Sequence, residues 1–141
     1  MSLGGYPISN CENRDPALRD AIRNLGNAGT FVVMAAGNDG DCVGSGKNLP
    51  GCVNGNNVFT VGSMTCEKAC SDFSNWGNPS VDWVAVGSRV NSTYKNGVYA
   101  TKSGTSMASP VVAGIIHARG GAPLSAGTIT CCNGAYRIAK R

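Results

Sequence analysis

Charge is scarce in this 141-residue chain: Asp, Glu, Lys and Arg make up 14% of it, aromatics 6%, and there is one histidine. The formal charge of +4 is mild, and basic residues cluster only at the end, as Arg137, Lys140 and Arg141. That pattern argues against nucleic-acid and membrane-surface partners. No apolar run approaches the ~18 residues that a membrane span needs. A single histidine, with cysteines in no paired CxxC arrangement, argues against a zinc site. A basic, apolar leader is also missing: Met1 is followed at once by Ser2-Leu3-Gly4-Gly5.

What is plentiful is glycine, at 20 residues, and cysteine, at 7. The glycine points to a turn-rich α/β chain. The cysteines read as the disulfides of a secreted protein, with the odd count leaving at least one thiol unpaired or paired to a group outside these residues. That load without a leader suggests that the native beginning lies upstream of Met1. Asn91-Ser92-Thr93 is a glycosylation-type triplet.

Asp15-Pro16 opens a helix, because Asp caps free N–H groups and Pro suits the first helical position. Leu18, Ala21, Ile22 and Leu25 follow at helical spacing, and Gly26 and Gly29 are expected to end the helix. Phe31 to Ala36 is an unbroken apolar run, the pattern of a parallel strand covered on both faces. With Met1-Ser2-Leu3 as a strand, residues 1–36 would make one βαβ unit. Residues 37–56 read as loop. Val58-Phe59-Thr60-Val61 and Val81 to Val86 read as strands, and Tyr94 to Ala100 as a hairpin arm about Lys95-Asn96-Gly97. A helix from about Ser106 to Ala118 is apolar all round, so it is expected to be buried, with Gly120-Gly121 stopping it. The tail from Ala122 to Arg141 shows no clear pattern.

The segment Gly104-Thr105-Ser106-Met107-Ala108-Ser109-Pro110 resembles the motif around the catalytic serine of the subtilisin-like serine proteases (subtilases, peptidase S8). Ala35-Ala36-Gly37-Asn38 resembles their oxyanion-hole segment, and Met1 to Gly5 the strand that lines their cleft. Phe73-Ser74-Asn75-Trp76-Gly77 resembles their FSNxG loop, and Val84 to Gly87 the strand end often written APG. The resemblance covers residues 1 to about 118, the C-terminal half of the catalytic domain, followed by a divergent tail, 119–141. It implies a three-layer α/β fold, a parallel sheet with helices on both faces, lacking its N-terminal strands. Two positions depart from the pattern: Val86 stands where the family often has Pro, and Val111 where it often has His.

The resemblance implies a serine endopeptidase acting on polypeptides, with Ser106 as nucleophile and Asn38 as oxyanion donor. Substrate would meet Ser2, Leu3, Gly4, Ala36, Gly37, Asp39 and Thr105. Asp39 reads equally as a pocket wall or a solvated loop carboxylate. Elementary chemistry agrees on the two central residues. A serine in the first turn of a helix sits among unpaired N–H groups that favour negative charge. An amide after a strand end donates to an oxyanion without titrating.

No cofactor is required by this chemistry. The resemblance allows a structural calcium ion, with Asp41 and Asp72 as candidate ligands, although no oxygen-ligand cluster is visible. It also suggests a disulfide between Cys42 and Cys52. The family's triad Asp and His precede the segment resembling residues 1–5. His117 lies eleven residues after Ser106 on one helix, roughly 16 Å away, and reads as a core or helix-end residue. A serine without a base is a weak nucleophile, and losing the triad costs this enzyme class about 10⁶-fold in turnover. The chain alone is therefore expected to be inactive. A missing N-terminal half would supply Asp and His, either in the same chain or as a separate one. The alternative reading is a pseudoprotease or peptide-binding module.

Overall fold

The computed structural model describes residues 1–5, 11–42, 48–77, 80–132 and 134–141. Residues 43–47 of the expected 37–56 loop lie outside the described residues. After the short helix α1 (Cys11–Arg14), α2 spans Pro16–Asn27. Asp15 caps it through Oδ1, which accepts from the Leu18 N–H at 3.0 Å. Gly26 lies inside α2 instead of ending it. A Cβ there would sit 2.0 Å from the Asn56 carbonyl oxygen, so this glycine lets the helix touch the following loop.

Strands β1 (Val32–Ala35), β2 (Val58–Met64) and β3 (Trp83–Val86) are parallel neighbours. Their side chains alternate between two packed faces, as the two-residue period of a strand requires. Val33, Val61, Trp83 and Ala85 pack on α3 (Thr105–Arg119) through Ala108, Val112 and Ile116. Val32, Met34 and Val58 face the other way, onto Ile22 of α2. Helices thus cover both faces of a parallel sheet, the α/β architecture expected. No helix among the described residues is long and apolar enough to cross a membrane. β4 (Val90–Thr93) and β5 (Tyr99–Lys102) form the antiparallel arm. Asn96 and Gly97, at φ 62° and 70°, make its turn.

Four further expectations are corrected. Met1-Ser2-Leu3 is not a strand. Met1 only flanks β1: its ammonium group donates to the Val33 carbonyl, and the Ala35 N–H donates to the Met1 carbonyl. Helix α3 is not buried all round: Pro110, Val111, Ala113 and Gly114 are exposed, because the sheet covers one side of it. The tail has structure. β6 (Leu124–Cys131) and β7 (Gly134–Lys140) form an antiparallel hairpin, and β7 adds in parallel to the edge of β3. The sheet order is β1-β2-β3-β7-β6.

The fourth correction concerns the cysteines. Cys42 and Cys52 are not joined. The disulfides are Cys11–Cys52, Cys42–Cys132 and Cys70–Cys131, with Cys66 free and exposed. The reason is tertiary: the β6–β7 hairpin returns to the sheet beside residues 42 and 70. Its Ile129, Cys131, Tyr136 and Ile138 complete the core cluster formed by Ala36, Met64, Trp76, Val81 and Val84.

Candidate active site

The carboxyl end of β1 and the amino end of α3 meet at one place, where Gly37 and Asn38 face Thr105 and Ser106. Thr105 is fully buried and acts as the joint. Its Oγ1 accepts from the Gly37 N–H at 3.1 Å and lies 3.0 Å from Asn38 Oδ1, to which it can donate. The Thr105 N–H donates to the same Asn38 Oδ1 at 2.8 Å. The amide of Asn38 is therefore oriented by its oxygen, while Nδ2 makes no hydrogen bond among the described residues. Gly104 precedes α3 with φ +157°, and a Cβ there would stand 3.6 Å from both amide atoms of Asn38. That spacing is ordinary contact; the positive φ, which L side chains rarely adopt, is what calls for glycine here.

Ser106 is half-buried in the first turn of α3. Its Oγ donates to the Ser2 carbonyl at 3.0 Å, and Ser2 Oγ donates to the Ser106 carbonyl at 2.6 Å. His117 is exposed in the last turn of the same helix. No acid or base is hydrogen-bonded to Ser106 Oγ among the described residues.

Beside Ser106 and Asn38 lies a cavity of about 390 Å³, lined also by Gly4, Gly5, Ala35, Gly37, Asp39, Asn48 and Thr105. Of the other expected substrate contacts, Leu3 is 59% exposed, whereas Ser2 lines a neighbouring cavity of about 260 Å³ with Pro110 and Ala113. Ala36 is fully buried beneath the pocket floor, in the core with Trp76.

Asp39 is held by two neutral amides. Its Oδ2 accepts from Asn48 Nδ2 at 2.7 Å and from Asn75 Nδ2 at 2.8 Å. The Asn75 bond first, then the Asn48 bond, hold its carboxyl below the usual range, against a smaller opposing effect of burial. Asn75 is the hub behind the pocket. Its Oδ1 accepts from the Asp39 N–H at 2.9 Å and the Asp41 N–H at 3.2 Å, and its Nδ2 also reaches the Ala36 carbonyl at 3.3 Å. A sequence reading that names Asn75 only as part of a loop motif misses this role. Asn48 carries no motif signal: its sole sequence cue is a polar residue before Leu49-Pro50, and only folding brings it to the pocket wall.

The segments that carry Asp41 and Asp72 meet at one backbone bond, from the Gly40 N–H to the Phe73 carbonyl at 2.9 Å. No group of three or more His, Cys, Asp or Glu residues that could hold a metal ion occurs among the described residues.

The Subtilase family (peptidase S8) matches residues 1–118. An intracellular serine protease of Paenibacillus polymyxa is 42% identical over 118 residues, covering 82% of this chain and 33% of that protein. Subtilisin-like protease 4 of Trichophyton rubrum is 43% identical over 117 residues, covering 82% of this chain and 26% of that protein. Among solved structures, a cold-adapted subtilisin-like serine proteinase superposes with a TM-score of 0.72 at 38% identity, over 84% of this chain and 39% of that one. The chain thus spans between about a quarter and a third of the length of these curated relatives.

Proposed function

Because the chain belongs to the subtilase family, we propose that Ser106 and Asn38 form the nucleophile half of a serine endopeptidase site. The observation that carries this reading is the Asn38 amide. Thr105 ties down its oxygen and leaves Nδ2 as an uncommitted donor on the cavity that Ser106 lines. Attack of Ser106 Oγ on a peptide carbonyl places negative charge on the carbonyl oxygen. Asn38 Nδ2 and the N–H groups of the first turn of α3 are the donors for that charge. An extended polypeptide substrate would pair with the backbone of Ser2, Leu3 and Gly4 and place one side chain in the cavity walled by Gly37, Asp39 and Thr105.

The reaction needs a base to take the Ser106 proton and a carboxylate to orient that base. The bond from Ser106 Oγ to the Ser2 carbonyl supplies neither. The 141 residues alone should therefore lack turnover, and residues outside them would deliver Asp and His. The three disulfides support an extracytoplasmic setting.

A fluorophosphonate probe tests the reading. The chain alone should label no faster than background, and co-expression with an Asp- and His-bearing subtilase N-terminal segment should bring labelling to Ser106. Labelling of Ser106 at a normal protease rate by the chain alone would refute the dependence on an added base. Complementation that activates the site without modifying Ser106 would refute the assignment of the nucleophile.

A further inference from the structure

The hairpin of β6 and β7 lies beyond the part of the chain that the family matches, yet it is tied to the segments behind the pocket at Trp76 and Gly77, at Cys70 and at Cys42. Tyr136 is buried, and its ring packs on Trp76 with centroids 5.0 Å apart. Its hydroxyl accepts from the Gly77 N–H at 3.1 Å. Cys131 is bonded to Cys70, which stands just before the 71–77 segment. Cys132 is bonded to Cys42, four residues after Asn38.

These ties converge on one clamp. The 73–77 segment grips the oxyanion segment by backbone bonds: Gly40 N–H to Phe73 carbonyl, Asn75 N–H to Gly37 carbonyl, and Trp76 N–H to Asp41 carbonyl, at 2.9, 3.0 and 2.9 Å. Asn75 adds its side-chain bonds to Asp39 and Asp41. Trp76 is thus bonded to Asp41 and its chain neighbour Asn75 to Gly37, so the 73–77 segment holds both ends of residues 37–41. The two adjacent cysteines differ in access. Cys42 and Cys132 are both exposed, whereas Cys131 is 3% exposed and Cys70 half-buried. A reductant reaches the outer disulfide first.

We propose that the β6–β7 hairpin is a buttress that holds the oxyanion segment in its pocket-forming shape, with Tyr136 as a positioning residue and the exposed Cys42–Cys132 disulfide as a redox-sensitive latch. The reductant is a dithiol. One of its thiolates attacks a sulfur of the latch to give a mixed disulfide, and its second thiol displaces the protein thiol. Two electrons and two protons pass to Cys42 and Cys132, and the dithiol leaves as a disulfide. Residues 39–42 then lose their covalent tie to the hairpin, while Asp39 and Asp41 keep their bonds to Asn75 and Asp39 its bond to Asn48. The proposal rests on the reading of Asn38 as oxyanion donor, but its test is independent of activity.

Hydrogen exchange on the full chain reads it out. In a Cys42→Ser/Cys132→Ser variant, and in the native chain treated with a dithiol, the Asp39 and Asp41 N–H groups should exchange at least about tenfold faster. The β2 amides should keep their protection. Should the double variant fail to fold, dithiol titration of the native chain gives the same reading. Tyr136→Phe keeps the ring and removes one acceptor. It should speed exchange of the Gly77 N–H and shift the Asn38 side-chain amide resonance, with the denaturation midpoint nearly unchanged. Unchanged exchange at residues 39–41 after the latch is opened would overturn the proposal. So would acceleration of β2 by the same factor, which means general loosening. An Asn38 resonance indifferent to Tyr136→Phe removes the positioning role. Failure of fluorophosphonate labelling in the complemented protein would instead count against the oxyanion-site reading and leave the exchange results standing.

Discussion

Replacing Asn75 tests the logic of the site most directly. Asn75 is fully buried and makes four hydrogen bonds with its side chain: two from backbone N–H groups, one to a backbone carbonyl and one to a carboxylate. A net hydrogen bond contributes roughly 0.5–1.5 kcal/mol, and a buried group left unpaired costs about 1–3 kcal/mol. Asp39 is exposed, so water can take over part of its loss. Asn75→Ala should then destabilise the chain by about 3–5 kcal/mol, a large share of the 5–15 kcal/mol typical of a domain. In urea, with a slope of about 1–3 kcal/mol per molar, the midpoint falls by about 2 M. Asn75→Asp preserves volume and both acceptor roles, but it sets oxygens where Nδ2 met the Ala36 carbonyl and, at 2.8 Å, the Asp39 carboxylate. At pH 7 it should be worse than alanine. Two carboxylates sharing one site raise the pKa of one of them in the folded state. A raised pKa confers stability that is present at low pH and lost as pH rises through it, so N75D should recover on acidification. A cost below about 1 kcal/mol for N75A, or an N75D variant no worse than N75A with no recovery at low pH, would refute the hub.

Two further substitutions follow from the fold. Burial pushes the Asp82 carboxyl up to about 6, with the Thr60 N–H and Arg137 opposing the rise. The folded chain therefore holds this proton to higher pH than the unfolded chain. About 3 kcal/mol of stability, present below pH ~4, is lost as pH rises through ~6. Asp82→Asn keeps an acceptor for the Thr60 N–H and should flatten that slope in urea titrations between pH 4 and 7. Gly26→Ala would gain up to about 1 kcal/mol of helix propensity on an open surface. Here its Cβ meets the Asn56 carbonyl oxygen at 2.0 Å and Val58 Cγ2 at 2.9 Å, so it should instead destabilise by about 1–3 kcal/mol, measured as a lowered Tm.

The tail shows where sequence patterning stops working. Strand β6 reads as a loop because most of its residues are exposed: its buried positions are Ile129 and Cys131, too few for an alternating signal. Helix α3 fails in the opposite direction. Its composition is apolar all round, but burial of a face depends on what packs there, and the sheet meets only the side of Ala108, Val112 and Ile116. The masking of Asn48 and Asn75 as ordinary loop residues has a similar cause, since their roles lie in contacts nine and thirty-six residues away, both at Asp39.

Local chemistry was decided by the amino-acid order alone: the Asp15 cap, the apolar β1, the Asn96-Gly97 turn, the Gly120 stop, and the two segments carrying Asn38 and Ser106. Each depends on neighbours within a few residues. The disulfide pairing, across 41, 61 and 90 residues, and the buttress behind the pocket came only from the tertiary structure. Cysteine sulfurs bond when their Cα atoms come within about 7 Å, and chain proximity does not decide which do. Residue order placed a serine and an amide at the two ends of a βα junction; the packing of a distant hairpin put a covalent tie and a buried tyrosine behind the segment that carries the amide.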